Sequence, residues 1–261
     1  MSVELVGRVV AVTGAARGIG RALAEAAHAR GARVVALDRD GAGAAETAAR
    51  LHGYAYALDV TDAAAVAATL ARIEAEFGGI DLYCSNAGVL ERDPDPRLAT
   101  SADAASWARS WSVNVMGHVH AARALVPGWL ARGHGAFLGT VSAAGLLSQI
   151  GSATYSATKH AALGFLEHLA IAHADDGIRV AALCPQGVDT DMIRGAGAGA
   201  PMARDGILSP RAVAEAALDG LAAGRFLILP HPEVAAYARR RAEDPERWLA
   251  GMARLRRSQM G

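Results

Sequence analysis

Residues 9–20 of the chain read V-V-A-V-T-G-A-A-R-G-I-G. The first residues of this stretch fit a strand that is buried on both faces, and the residues after the last glycine have helical periodicity. Between such a strand and helix, Gly14 permits a tight turn, Gly18 lets the backbone approach a pyrophosphate, and Gly20 lets helix and strand pack closely. The stretch therefore predicts a dinucleotide site, with helix N–H groups facing the phosphates.

The rest of the chain repeats the alternation of strand and helix. Apolar, β-branched runs predict strands at 8–13, 33–37, 54–58, 80–84, 135–140, 179–184 and 226–229. Alanine-rich stretches of helical period predict helices at 19–30, 42–51, 63–77, 106–132, 154–174 and 210–223. This alternation predicts an α/β fold, a doubly wound parallel sheet of about seven strands with helices on both faces.

We predict one dinucleotide-binding catalytic domain at 1–230, with a substrate loop at about 186–206 that we interpret as a lid. Residues 231–261 form a helical tail, in which Trp248, Leu249, Met252 and Leu255 share one face. That face needs a partner, so the tail either packs on its own domain or forms a subunit interface.

Composition excludes several classes of function. The 261 residues carry a formal net charge of +0, and 20% are charged, so neither nucleic acid nor a membrane surface is an expected partner. Cys84 and Cys184 each end an apolar run, which favours buried free thiols and a reducing cytoplasm over a disulfide framework. The sequence shows no signal peptide and no apolar window long enough to span a bilayer, so we expect a soluble, cytoplasmic protein.

Acidic residues at the ends of two strands predict the type of dinucleotide. Asp38 ends the second strand, where a carboxylate accepts hydrogen bonds from both adenosine-ribose hydroxyls and repels a 2′-phosphate, which favours NAD. Arg17 or Arg39 could instead reach a 2′-phosphate, which leaves NADP as the alternative. Asp59, after the third strand, is placed to meet the adenine amino group.

Scarce residue types mark the chemistry. Lys159 is the only lysine, and Asn86 and Asn114 are the only asparagines. Tyr155 and Lys159 are four residues apart in a predicted helix and share one face. Ser142 follows the fifth strand, at the sheet edge where ligands bind in this fold. A lysine is a compact point charge that arginine cannot replace beside a reacting group.

In order, these elements resemble the short-chain dehydrogenase/reductase family and its Rossmann-like fold. The matching elements are Thr13-Gly14-x-x-x-Gly18-x-Gly20, Asn86-Ala87-Gly88, Asn114, Ser142, Tyr155-x-x-x-Lys159 and the segment Pro185 to Thr190. The resemblance implies hydride transfer between a nicotinamide and a carbonyl or secondary alcohol, with Tyr155 as acid/base. It implies that the charge on Lys159 favours the phenolate. Ser142 would bond the substrate oxygen, and Asn114 would hold a water.

The predicted catalytic residues are Asn114, Ser142, Tyr155 and Lys159. The predicted cofactor-binding residues are Gly14, Arg17, Gly18, Ile19, Gly20, Asp38, Asp59, Val60, Asn86, Ala87, Gly88, Tyr155, Lys159, Pro185, Val188 and Thr190. The predicted substrate-binding residues are Leu90, Leu146, Leu147, Gln149, Gln186, Met192 and Ile193. The last set is mostly apolar, which favours a neutral, largely apolar secondary alcohol or ketone. Gln186 departs from the family pattern, which has glycine there, so its side chain either enters the pocket or distorts the turn.

The predicted function is that of an NAD-dependent alcohol dehydrogenase or ketone reductase. An NADP-dependent carbonyl reductase and a non-catalytic dinucleotide-sensing protein are the alternatives. Family members commonly pair their long helices as dimers or tetramers, so we expect a homo-oligomer. No metal is expected, because the spacing of the helical histidines gives no ligand set and they are interpreted as surface or interface residues. They are His118, His120, His160, His168 and His173.

Overall fold

The computed structural model describes residues 4–194 and 205–260. Residues 195–204, the middle of the predicted substrate loop, lie outside this part, so the interpretation as a lid stays a prediction. Within the described residues one parallel sheet has the strand order β3-β2-β1-β4-β5-β6-β7. The strands are β1 Val9–Thr13, β2 Arg33–Asp38, β3 Tyr54–Ala57, β4 Leu82–Ser85, β5 Gly135–Thr140, β6 Ile178–Leu183 and β7 Leu227–Ile228. The prediction of a doubly wound sheet is confirmed.

Helices cover both faces of this sheet. They are α1 Gly18–Ala29, α2 Gly41–Arg50, α3 Ala63–Phe77, α4 Ala104–Trp111, α5 Gly117–Arg132, α6 Ala153–Ala172, α7 Asp191–Arg194, α8 Pro210–Ala222, α9 Glu233–Glu243 and α10 Pro245–Met260. On one face α1, α2 and α8 bury Leu23, Ala48 and Leu218 against the strands. On the other face α3, α5 and α6 bury Leu70, Leu125 and Leu166. The central strands β1, β4 and β5 are buried along their whole length, as their continuous apolar runs predict, whereas the edge strand β3 is partly exposed.

The helix predicted at 106–132 is interrupted. A π-helical turn at Ser112–Met116 separates α4 from α5 and contains Asn114. A π turn holds one residue more than an α turn, and such turns are frequent at functional sites. Periodicity cannot show this insertion, because the flanking helices keep their apolar faces.

The C-terminal helix pair consists of α9 and α10. Val234 of α9 is buried in a small apolar cluster with Ala143 and Leu147, which follow β5, and Trp248 of α10 packs against the same cluster. The tail therefore contacts its own sheet end, while a further role at a subunit interface stays a prediction. No helix among the described residues is long and apolar enough to cross a bilayer.

Candidate active site

A cleft of about 1700 Å³ opens at the carboxyl ends of the strands. It lies where the strand order reverses, because β1 continues outward to β2 and β3 while the chain returns on the other side through β4. Ligands of doubly wound proteins bind at this switch point. Its lining joins the loop after β1 at one end to α10 at the other.

The loop between β1 and α1 presents bare backbone to the cleft. Gly14 and Gly18 have φ of +67° and +56°, a region that favours glycine. A Cβ on Gly18 would lie 3.2 Å from Thr190 Cγ2, and one on Gly20 would lie 2.1 Å from the Gly14 carbonyl oxygen. We call this glycine-lined loop the cradle. A side chain at Gly18 would fill it, and a side chain at Gly20 would push α1 away from β1. The loop thus fits a pyrophosphate at the start of α1.

Asp38 lies at the rim of this cradle. Its carboxylate accepts hydrogen bonds from the N–H of Ala16 at 3.0 Å and of Asp40 at 2.9 Å. Arg17 forms exposed ion pairs with Asp40 at 3.6 Å and Asp191 at 3.8 Å. Because each carboxylate oxygen has a second lone pair, Asp38 can still accept bonds from a ligand.

Two further predicted cofactor residues, Asp59 and Asn86, also line the cleft. Hydrogen bonds from the N–H and hydroxyl of Thr61 hold the pKa of Asp59 below its usual range. Asn86 donates from Nδ2 to the Thr13 carbonyl at 3.0 Å, which ties the end of β4 to the end of β1. The cleft lining includes every predicted cofactor residue except Gly20, which is buried beneath it.

Tyr155 and Lys159 enter the cleft from the first turns of α6. This helix begins at the N-cap Ser152, whose hydroxyl accepts a hydrogen bond from the N–H of Tyr155 at 3.2 Å. Lys159 Nζ donates to the Thr140 carbonyl at 3.0 Å and lies 5.5 Å from the centre of the Tyr155 ring. Ser142 follows β5 in the same cleft, and its hydroxyl accepts from the N–H of Ala144 at 3.1 Å.

Burial sets the ionisation of this pair. It raises the pKa of Tyr155, and a hydrogen bond with Ser142 partly offsets the rise. Burial also lowers the pKa of Lys159 to about 8. Desolvation disfavours the charged form of each group. In the protein alone, burial therefore favours the neutral form of both groups, and stabilisation of the phenolate by Lys159 stays a prediction for the complex with cofactor.

Asn114 lies behind the cleft and not in its lining. In the π-helical turn its Oδ1 accepts from the N–H of Val89 at 2.9 Å, and its Nδ2 donates to the Val89 carbonyl at 2.9 Å and to Thr158 Oγ1 at 3.1 Å. A Cβ on Gly88 would lie 3.4 Å from Asn114 Oδ1 and 3.5 Å from Lys159 Nζ. Asn114 thus fixes the loop that borders the lysine.

The predicted substrate residues are placed together with one exception. Leu90, Leu147, Gln149, Gln186, Met192 and Ile193 line the cleft. Leu146 does not, and its placement in the pocket was wrong: it packs with Leu229 and Val234, and its carbonyl accepts a bond from Arg241.

Several residues of the cleft were not predicted from the sequence. Among them are Val113, Asp205, Tyr237, Trp248, Met252 and Leu255. The last three belong to the apolar face of the tail. The sequence predicted that this face packs against something, but it did not predict that the face lines the cleft. Leu249, assigned to the same face, is 66% exposed.

His118 is a second correction, because it is buried and not at the surface. Its Nδ1 lies 2.7 Å from Ser85 Oγ, and its ring meets the edge of Phe137. Burial first, and then the charge of Lys159, lowers the pKa of His118 to about 3.

His118 should make the protein sensitive to acid. Its folded-state pKa lies below the unfolded value of 6.5, so on acidification the unfolded chain takes up a proton that the folded chain does not. The stability it contributes is complete above pH 6.5 and is lost towards pH 3, at about 1.4 kcal/mol per pH unit. We expect His118→Gln to reduce this slope in urea unfolding between about pH 7 and pH 5.

The matched control is His28→Gln, since His28 is exposed on α1. It should keep the wild-type slope. Equal slopes for His118→Gln and wild type would show that the acid sensitivity arises elsewhere.

The strand order and the cleft define a nucleotide-binding α/β protein of the doubly wound class. A family model described as short chain dehydrogenase matches residues 8–200. The chain belongs to the short-chain dehydrogenase/reductase family, and it is an oxidoreductase of that family.

Named relatives and a solved structure agree with this membership. The 3-oxoacyl-[acyl-carrier-protein] reductase of Escherichia coli K12 is 35% identical over 190 residues, 72% of this chain and 76% of the relative. The 1-deoxy-11-beta-hydroxypentalenate dehydrogenase of Streptomyces avermitilis is 36% identical over 228 residues, 85% of this chain and 84% of the relative. A family member from Burkholderia phymatum, crystallised in complex with NAD, superposes with a TM-score of 0.81 at 30% identity, covering 94% of this chain and 96% of that one.

Proposed function

We propose that the chain is an NAD-dependent alcohol dehydrogenase or ketone reductase acting on a neutral, largely apolar substrate. One observation carries this function: Ser142, Tyr155 and Lys159 meet in the same cleft that has Asp38 at its far end. A proton-transfer group and a ribose-recognition group thus share one continuous site.

The cradle and its rim support NAD as the cofactor. The backbone at Gly14 and Gly18 would hold the pyrophosphate. The Asp38 carboxylate would accept hydrogen bonds from the ribose hydroxyls and would repel a 2′-phosphate. Arg17, which could oppose this preference, lines the cleft and forms exposed ion pairs with Asp40 and Asp191. Arg39 also lines the cleft, which keeps NADP as the second candidate.

The nicotinamide, when bound, supplies or accepts the hydride. Tyr155 then gives a proton to the carbonyl oxygen in reduction and removes it from the alcohol in oxidation. Lys159 in its charged form stabilises the phenolate that remains, because its Nζ is buried beside the tyrosine ring. Ser142 donates to the substrate oxygen. Asn114 acts indirectly, by holding the loop around Val89 against Lys159 and by binding a water.

The walls of the substrate half support an apolar substrate. Val113, Leu147, Met192, Trp248 and Met252 contribute carbon surface to the cleft. The nearby cation Arg109 is paired with Glu91 at 3.1 Å. The cation at the reacting end is Lys159, and the proposed mechanism uses its charge for Tyr155. The other arginines in this half of the lining, Arg240, Arg247 and Arg254, belong to the C-terminal helix pair.

The test is to measure initial rates with NAD and NADP across a panel of apolar secondary alcohols, and with the reduced cofactors across the matching ketones. Turnover with NAD that Tyr155→Phe abolishes is the expected result. A preference for NADP would reject the role of Asp38. Tight NADH binding without turnover of any compound would favour a sensing protein.

We further infer a homo-oligomer. Ala157, Gly164 and Ile171 lie seven residues apart on α6 and are exposed, as are Trp107 and Trp111 on α4. Such a surface allows close approach of a second copy. Light scattering of the purified protein tests it, with a monomer as the contradicting outcome. The two cysteines are buried and free, which supports the proposed cytoplasmic location.

A further inference from the structure

Gln186, where the family pattern has glycine, makes specific contacts instead of distorting its turn. It follows β6 and lines the cleft. Its backbone N–H donates to His231 Nδ1 at 3.1 Å, and its side-chain Nε2 donates to Asp205 Oδ2 at 3.1 Å. A glycine at this position could make the first bond and not the second.

Asp205 receives a second side chain on its other oxygen. The hydroxyl of Tyr237, on α9, donates to Asp205 Oδ1 at 2.9 Å. One partly buried carboxylate thus joins the loop after β6 to the C-terminal helix pair. We call these three residues, Gln186, Asp205 and Tyr237, the Asp205 clasp. Hydrogen bonds to a charged acceptor are stronger and more directional than bonds between neutral groups.

The segment around Asp205 is itself anchored. Leu208 donates to the Gly187 carbonyl at 3.0 Å and accepts from the N–H of Asp189 at 2.9 Å. These bonds form a short parallel bridge between Val188 and Leu208. Asp205 therefore projects from backbone that is tied to the cofactor side of the cleft.

On its other side the clasp reaches the wall of the substrate pocket. The Tyr237 ring lies 6.4 Å from the Trp248 ring, centre to centre, and Trp248, Met252 and Leu255 line the cleft. Arg256 of α10 donates to the Pro96 carbonyl at 2.9 Å. The C-terminal helix pair thus spans the cleft from the end of β6 to the loop after β4.

We propose that the Asp205 clasp determines the size specificity of the pocket by fixing the C-terminal helix pair as its wall. Asp205 is a positioning residue, since it acts through Tyr237 and Trp248. This role rests on the proposed function. The clasp holds Trp248 and Met252 where a long apolar substrate needs them, while a short substrate and the cofactor do not depend on it.

The clasp can be tested by exchanging the amide of Gln186 and the carboxylate of Asp205 between the two positions. In Gln186→Glu, a carboxylate faces the Asp205 carboxylate across the 3.1 Å contact, and the two repel. In the double variant Gln186→Glu/Asp205→Asn, the new amide donates to the new carboxylate and its oxygen still accepts from Tyr237. The double variant restores the contacts with the roles reversed.

The kinetic readout is a series of straight-chain methyl ketones, from butanone to decanone, with NADH. We expect Gln186→Glu to raise the KM for decanone more than the KM for butanone, so that the ratio of the two KM values rises about tenfold. The double variant should return the KM for decanone to near the wild-type value. Additive losses in the double variant, or an equal change for both ketones, would overturn the proposal.

A second measurement does not depend on turnover. Hydrogen exchange of α9 in the cofactor-free protein should become faster in Gln186→Glu and return to the wild-type rate in the double variant. Restored exchange without turnover of any ketone would refute the proposed substrate and retain the clasp. Exchange that is unchanged in Gln186→Glu would refute the clasp itself.

Discussion

Replacing Tyr155 with phenylalanine is expected to lower kcat/KM by about 10²- to 10⁴-fold, with little change in cofactor affinity. The substitution removes only the phenol oxygen from a side chain that is 8% exposed, so the packing of the ring stays intact. Tyr155 is the group proposed to exchange the proton with the substrate oxygen, and the described residues around it, Ser142 and Lys159, have other roles in that mechanism. The measurement is initial rates in both directions, with NADH binding followed by fluorescence.

Tyr54→Phe is the matched control for this loss. Tyr54 is 46% exposed on β3, at the edge of the sheet, and its substitution should leave both constants unchanged. Retention of more than about a tenth of the activity in Tyr155→Phe would mean that another group transfers the proton.

The second large effect is expected at Asp38. Asp38→Ala removes the carboxylate that would accept the ribose hydroxyls, and it removes the repulsion of a 2′-phosphate. We expect the ratio of kcat/KM for NAD to that for NADP to fall by about 10²-fold or more, because each lost bond to a charged group has an energy of about 1.5–3 kcal/mol. Arg39, on the same side of the cleft, would then face the phosphate.

Asp38 also accepts two backbone hydrogen bonds, so its loss could act through stability alone. Asp62→Ala controls for this, since Asp62 accepts from the N–H of Ala64 and Ala65 at the start of α3. It should lower the melting temperature without changing the cofactor ratio. An unchanged ratio in Asp38→Ala would remove the structural reason for preferring NAD.

Local patterns predicted the parts of this fold that local physics determines. The continuous apolar run at β1 and the glycines after it required a strand, a tight turn and a helix, and all three are present. The π-helical turn at Ser112–Met116 was missed, because an inserted residue changes the direction of side chains without breaking the apolar period.

The remaining misses concern what a side chain faces across the fold. His118 was assigned to the surface or to an interface, since a histidine on an alanine-rich helix gives no local sign that Ser85 of a distant strand lies beside it. Gln186 was recognised as a departure from the family pattern, but its partner Asp205 could not be predicted. Asp205 lies 19 residues further along the chain, and its position depends on the bridge between Val188 and Leu208.

The two ends of the cleft are encoded far apart in the chain. The cradle and its rim come from residues up to Gly88, whereas the far wall comes from the C-terminal helix pair. Under the proposed function, the part of the site that recognises the adenosine and pyrophosphate of the cofactor is synthesised first, and the wall that selects substrates by length is added last. Exchanging α9 and α10 between relatives, together with the clasp that seats them, would therefore be a route to new substrate ranges that leaves the redox half of the enzyme unaltered.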